Sequence, residues 1–260
     1  PPATGKRPVA FYDTECFPNY WLLKFRPKGG GAYGFRLRAG QSFDQATCAR
    51  IRLLFEAYSV ISFNGLRYDV PMITSALMGY TAEQLKWQND RIIVEKVKPW
   101  ELGLPEWSPA DHIDIMEVIP GAGSQKLFAG RIHYKTMRDL PYEPDHYLSE
   151  PEIVEVDTYC ENDLAVLEAL FDALQPMIEQ REALGKRYGL DLRSKSDAQV
   201  AADAENLAFR FGITRAEMDA CAAESHRRVL AAQRAGDGRL QGDAANQRRP
   251  GRNLLLHSLS

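Results

Sequence analysis

Three short acidic clusters hold the residues of this 260-residue chain whose types and spacing could do chemistry. The first is Asp13-Thr14-Glu15, directly after the apolar run 9–12. On a strand, side chains alternate, so Asp13 and Glu15 share a face. Two carboxylates crowded together repel each other and lose hydration, a cost that a cation between them removes. The plainer reading is a strand running out into a polar turn. The second cluster is Asn64-Gly65-Leu66-Arg67-Tyr68-Asp69, directly after the run 60–63. Asp69 falls at a strand-to-helix junction, where a carboxylate can cap the helix and still offer lone pairs to a cation. The third is Tyr159-Cys160-Glu161-Asn162-Asp163 inside a helical pattern. Residues four apart share a helix face, so the Tyr159 hydroxyl and the Asp163 carboxylate project together. Alone, that pair could equally be a tyrosine packed at the rim of an amphipathic helix.

The elements around these clusters alternate. Residues 9–12, 21–26 and 33–38 read as strands; Pro27-Lys28-Gly29-Gly30-Gly31 is a loop by its chemistry, and the three form a meander. Ile51, Leu54, Phe55 and Tyr58 recur at helical spacing over 45–58. Residues 60–63 are β-rich, and 71–78 read as a helix with Pro71 near its start, where the missing N–H costs little. Thr81 and Gln84 have capping-box spacing and open another helix. Residues 92–97 and 112–118 are expected strands, and 120–148, rich in Gly, Pro and aromatics, is expected to be mostly irregular. Ser149 and Glu152 open the strongest helix, over 152–174, with Ile153, Val156, Cys160, Leu164, Leu167 and Leu170 on one stripe. This order predicts an α/β fold with a mixed sheet flanked by helices. Past residue 200 the chain turns rich in Ala, Arg, Gln and Asp. Thr214 and Glu217 could cap a helix to about Ala235, and disorder is expected beyond Gly236. The expected division is a catalytic domain over 1–200 and an Ala/Arg-rich, helical to disordered C-terminal extension over 201–260.

Composition excludes more than it names. Hydrophobic residues make up 45% and charged residues 26%, ordinary globular usage. No apolar run approaches the ~18 residues of a membrane span, and PPATGKRP does not read as a signal peptide. The cysteines (Cys16, Cys48, Cys160, Cys221) form no CxxC pair, which argues against a zinc ribbon or disulfide framework and fits a reducing cytosol. With 32 basic and 35 acidic residues the net charge is −3, so the chain is no basic nucleic-acid coat. Gly29-Gly30-Gly31-Ala32 lacks the Lys-Ser/Thr of a phosphate loop, no GxGxxG is present, and neither His112 nor His133 has metal-ligand spacing.

Taken together and in order, the three clusters resemble the motifs of DnaQ-like 3′–5′ exonucleases of the RNase H-like superfamily, in the DEDDy subclass whose last motif carries tyrosine. The motifs match as Asp13/Glu15, Asp69 within NGLRYD, and Tyr159/Asp163; the histidine subclass would need His where Thr158 stands. The form of the second motif and the stretch Ser124-Gln125-Lys126-Leu127 resemble the proofreading exonuclease domain of family B DNA polymerases and related phage proteins, although the usual Ser/Thr-Leu spacing is tighter. The resemblance covers about residues 8–175, with His112-Ile113-Asp114-Ile115-Met116 on the strand before the last motif. Asp191-Leu192-Arg193-Ser194-Lys195-Ser196-Asp197-Ala198-Gln199 also resembles phage-type exonuclease proteins, with no chemistry attached.

What the resemblance implies is a two-metal phosphodiester hydrolase. Hard oxygen ligands suit Mg²⁺ or Mn²⁺. By resemblance, Asp13, Glu15 and Asp163 hold the ion that activates water, Asp13 bridges to a second ion, and Asp69 acts on that second ion. Tyr159 orients the attacking water. Phe17, Asn64, Tyr68 and Lys135 are the candidates for substrate binding, with Lys126, Arg131 and Arg138 as further cations; each also has a plain reading as a packing, turn or solvated residue. The tail arginines Arg227, Arg228, Arg234, Arg239, Arg248, Arg249 and Arg252 could hold DNA electrostatically, or simply be a solvated end. The expected function is a metal-dependent 3′–5′ exonuclease acting on single-stranded DNA 3′ ends in the cytoplasm of a bacterium or a phage-infected host. A proofreading role would pair it with a DNA polymerase in cis or in trans. The alternatives are an exoribonuclease of the same superfamily and a non-catalytic module binding DNA ends or a replication partner.

Overall fold

Strand β1 (Val9–Phe17) organises the fold, because alternate residues along it feed apolar clusters on its two faces. Ala10, Tyr12 and Cys16 point to one side; Phe11 and Phe17 point to the other. Wholly burying side chains of this size contributes about 1.5–3 kcal/mol each, and Phe11, Tyr12 and Phe17 are all buried. In this computed structural model the described residues are 7–119 and 121–210, together with 214–216, 219–220, 223 and 227.

The sheet has five strands in the order β3-β2-β1-β4-β5. β1, β2 (Tyr20–Pro27) and β3 (Tyr33–Arg38) form an antiparallel meander. β4 (Ser59–Ser62) and β5 (His112–Asp114) add in parallel, so the sheet is mixed and the fold is α/β. One face carries α1 (Gln45–Ala57), α2 (Asp69–Leu77) and α3 (Ala82–Ile93) around Tyr12, Trp21, Phe25 and Phe55. The other carries α4 (Ile115–Val118), α5 (Gln125–Arg131) and α6 (Glu150–Tyr188) around Phe11, Ile61, Leu167 and Phe171. Helix α7 (Asp197–Arg210) follows. The chain divides into two units after Val200. The expected helix over 214–235, apart from the isolated positions above, lies outside the described residues, as do the tail beyond Gly236 and Arg228, Arg234, Arg239, Arg248, Arg249 and Arg252. Among the described residues no helix is long and apolar enough to cross a membrane.

Helix α6 is fixed at its start and along its length. Ser149 and Glu152 form the capping box read from the sequence, with Pro151 in the first turn. Gly189, at φ 70°, closes the far end in the left-handed conformation that glycine adopts without strain. A ladder of ion pairs joins this helix to the meander. Lys24 meets Asp157 and Glu161, Arg26 meets Glu168, and Lys28 meets Asp172. From the edge strand, Arg36 meets Asp157 and Arg38 meets Glu150.

Two expectations are corrected. Residues 92–97 form no strand: the Thr81 capping box carries α3 on to Ile93, with Ile92 packed against the same core as Leu85, before Lys96 breaks the path at φ 60°. The strand expected over 112–118 stops at Asp114, whose carboxylate accepts the Met116 N–H and caps α4. Within the stretch expected to be mostly irregular, Ser124 caps the short helix α5.

Candidate active site

β1 pairs with β4 only over Val9, Ala10 and Phe11. Asp13 and Glu15 therefore lie on the part of β1 that overhangs the end of β4, where the loop 64–68 and the start of α2 fill in. Carboxyl ends of strands in open α/β sheets form such crevices. Asp13 and Glu15 share the face of Phe11 and Phe17, toward α6. Across the ladder from Asp13 stands Lys24, whose ammonium is already engaged by Asp157 and Glu161 on α6.

Helix α6 brings Tyr159 and Asp163 to this face. The Tyr159 hydroxyl lies against the Asp163 carboxylate, which holds Asp163 down while burial pushes it up; the net displacement is upward. The other carboxylate oxygen, Oδ1, is buried without a hydrogen-bond partner. Asp13 is raised well above the ordinary carboxylate range, by burial first and then by the charges of Asp69, Glu15 and Asp163. Glu15 is raised by burial and by Asp163 and Asp69, with Lys126 opposing. Lys126, on α5, sits 5.1 Å from the centre of the Tyr159 ring and 3.4 Å from Asp139.

Asp69 arrives from the opposite side. It is the first residue of α2 and only 2% exposed, and it accepts a 2.5 Å hydrogen bond from the Thr14 hydroxyl. Alternation explains this: Thr14 points away from Asp13 and Glu15, so one three-residue stretch addresses both helical layers. Burial pushes Asp69 up to about 7, with the Thr14 bond opposing and Asp114 adding to the rise. The structure thus brings Asp13, Glu15, Asp69, Tyr159 and Asp163 into one electrostatic neighbourhood.

The loop ahead of Asp69 is held from below. Asp114 accepts the N–H groups of Asn64 at 2.8 Å and Leu66 at 3.1 Å. Asn64 adopts φ 64°, and a Cβ on Gly65 would lie 2.3 Å from Ser62 Oγ and 2.7 Å from the Tyr12 hydroxyl, so only glycine fits there. Beneath it His112 Nε2 lies 3.0 Å from the Tyr12 hydroxyl and 2.7 Å from Ser62 Oγ. Burial lowers His112 to about 4, so it is neutral at pH 7. Sequence reasoning placed Asp114 on a strand but missed its role. The signal was an acidic residue closing an apolar run, followed by a helical turn that needs a cap.

The substrate-binding candidates scatter. Phe17 is 1% exposed and packs with Leu22, Ile153, Val156 and Cys160; it underpins the strand and offers no face to a base. Tyr68 packs against the other core and donates to Asn89 Oδ1 at 2.7 Å. Asn64 is half-buried at the loop's turn, and Lys135 is exposed. Arg138 and Tyr159 line one cleft of about 300 Å³ with Pro141 and Val154.

Donor chemistry decides what ion this site suits. One oxygen each from Asp13 and Glu15 and the sulfur of Cys160 lie within 4.8 Å of one another. Cys160 is wholly buried, and its thiol is pushed up by burial and by Asp13 and Glu15, so it stays protonated and forms the floor. The remaining donors are carboxylate oxygens that repel one another, the set that a hard divalent ion such as Mg²⁺ or Mn²⁺ prefers. The residues fit such an ion.

No family model matches the chain. No curated protein matches it either. Among solved structures the chain is similar to the family B DNA polymerase from the hyperthermophilic archaeon Pyrobaculum calidifontis, with a TM-score of 0.45 and 12% identity. The match covers 73% of this chain and 27% of that one, so the chain spans about a quarter of the polymerase's length.

Proposed function

We propose that this chain is a metal-dependent 3′–5′ exonuclease that hydrolyses phosphodiester bonds at single-stranded DNA 3′ ends. Residues 1–200 would form the catalytic unit and 201–260 an extension. The observation that carries the reading is the convergence of Asp13, Glu15, Asp69 and Asp163 on one strand end, each displaced toward protonation by burial or by its neighbours. Four carboxylates gathered in this way destabilise a fold unless cations use them. DNA as substrate and the 3′–5′ direction rest on the order and form of the three motifs, and a polymerase partner, in cis or in trans, follows from the same resemblance.

Asp13, Glu15 and Asp163 would hold one divalent ion, and Asp13 with Asp69 a second. When bound, such ions neutralise phosphate charge and make water a better nucleophile at neutral pH. The protein's own groups do the rest. The Tyr159 hydroxyl is raised far above 10 by burial and by Asp163, so it keeps its proton and orients a water as a hydrogen-bonding group rather than as a base. Thr14 fixes the Asp69 carboxylate, and Lys126 places a positive charge beside the incoming phosphate.

Tyr159→Phe is therefore expected to lower kcat by about tenfold, the scale of one lost hydrogen bond to the water, with little change in DNA affinity. Single-turnover rates and binding to DNA in Ca²⁺ separate the two; an unchanged rate would make Tyr159 a packing residue. The test of the whole reading is a degradation ladder on 5′-labelled single-stranded DNA, with Mg²⁺ or Mn²⁺ and then EDTA, beside RNA of the same sequence. Metal-dependent stepwise shortening of DNA supports it, shortening of RNA alone moves the substrate to RNA, and no shortening of either removes the activity.

A further inference from the structure

The segment after α6, the first part of the stretch Asp191 to Gln199 singled out in the sequence, folds back along the outer edge of β5. Gly185 makes the turn possible: the Leu190 N–H donates to the Gly185 carbonyl at 2.9 Å, and a Cβ on Gly185 would lie 2.2 Å from the Leu190 carbonyl oxygen. Leu192 is buried, Arg193 bridges Asp111 and Asp191, and Arg181 reaches from α6 to the Lys195 carbonyl and the Asp197 carboxylate. At the centre, Ser194 Oγ accepts the Asp114 N–H at 2.9 Å and donates to the His112 carbonyl at 3.2 Å. One hydroxyl thus pairs with two of the backbone groups on the outer side of this edge strand, as a neighbouring strand would.

Those two groups belong to the strand that holds the site's loop. Asp114 grips the N–H groups of Asn64 and Leu66, and the chain runs from there through Tyr68 into Asp69. We propose that Ser194 is a positioning residue for the Asp69 arm of the site, acting through Asp114, and that the strap 190–197 is part of the catalytic unit although it lies outside all three motifs. The consequence for hydrolysis rests on the exonuclease reading; the strap's hold on the loop does not. Without the hydroxyl, the end of β5 loses its outer partner, Asp114 gains freedom, and Asp69 loses the fixed approach that Thr14 needs.

The experiment compares the full chain with Ser194→Ala and Ser194→Thr. Amide hydrogen exchange is followed at Asn64, Leu66 and Asp114, and hydrolysis of single-stranded DNA in Mn²⁺ is followed in parallel. Ser194→Ala should speed exchange at these three amides by at least tenfold relative to amides of β1 and β2. It should lower kcat at least fivefold with KM within twofold, and Ser194→Thr, which keeps the hydroxyl, should restore most of both. Unchanged exchange in Ser194→Ala overturns the proposal, whatever the activity does. Fast exchange in a protein that hydrolyses neither DNA nor RNA keeps the strap and removes the exonuclease reading. Normal hydrolysis by Ser194→Ala despite faster exchange overturns the positioning role.

Discussion

Asp13→Asn is expected to abolish hydrolysis while leaving the metal-free protein more stable than the parent. Asp13 is held well above its ordinary range by burial and by three neighbouring carboxylates. Its charge therefore costs folding free energy at pH 7, and an isosteric amide removes that cost. Loss of activity should reach at least about a hundredfold, the scale of deleting one preorganised electrostatic contact. Thermal unfolding in EDTA should rise by at least ~2 °C, the shift that about 1 kcal/mol produces in a domain of this size. A residue kept for packing or capping would give the opposite pair: activity retained and stability lost. Activity within twofold of the parent removes Asp13 from the site.

The second large effect is a change in how stability depends on pH. Asp69 titrates near 7 in the folded chain, against about 3.9 in an unfolded one. Between those values the folded state keeps a proton that the unfolded state has released, so this group's contribution falls as pH rises. Asp13, Glu15 and Asp163 are displaced the same way. His112 works against them: lowered to about 4, it is neutral when folded and protonated when unfolded, so its contribution rises toward pH 6.5. Groups displaced downward, such as Glu152 at about 2, have already contributed fully above pH 5. Comparing the parent with Asp69→Asn cancels the His112 contribution. In EDTA the variant's melting temperature should gain on the parent's from pH 5 to pH 7. Added Mn²⁺ should raise the parent's melting temperature more at pH 7.5 than at pH 5, because binding needs ionised carboxylates. Parallel curves for the two proteins in EDTA would show that Asp69 titrates normally.

Local chemistry carried most of the fold into the sequence. The capping boxes at Thr81 and Ser149, the meander broken by Pro27 and its glycines, and the stripe on α6 all rest on neighbours a few residues apart. The errors came where distant partners decide. Ile92 and Ile93 read as strand from their branching, yet α3 continues because Ile92 has a core to meet. The strand at His112 was too long because Asp114 spends its carboxylate on a helix cap and on a loop 48 and 50 residues upstream. The site's acidic residues were legible as three clusters. That Asp69 approaches through Thr14, and that Ser194 closes the edge behind Asp114, depends on contacts 55 and 80 residues apart that no short motif encodes.

The ion-pair ladder between α6 and the meander gives the site a detent. Three of the site's acidic groups ride on two carriers, Asp13 and Glu15 on the sheet and Asp163 on the helix, and the ladder fixes one against the other. A slip of α6 by one turn, about 5.4 Å, would set Leu164 where Glu168 meets Arg26 and Ile153 where Asp157 meets Arg36. The opposite slip would set Pro176 where Asp172 meets Lys28 and Val154 where Glu150 meets Arg38. Each slip would keep only part of the ladder: the first would leave Lys24 with Asp157 and Lys28 with Glu168, the second Lys24 and Arg36 with Glu161 and Arg26 with Asp172. Only the seated register engages every tooth at once, and that register sets the spacing between the two carriers.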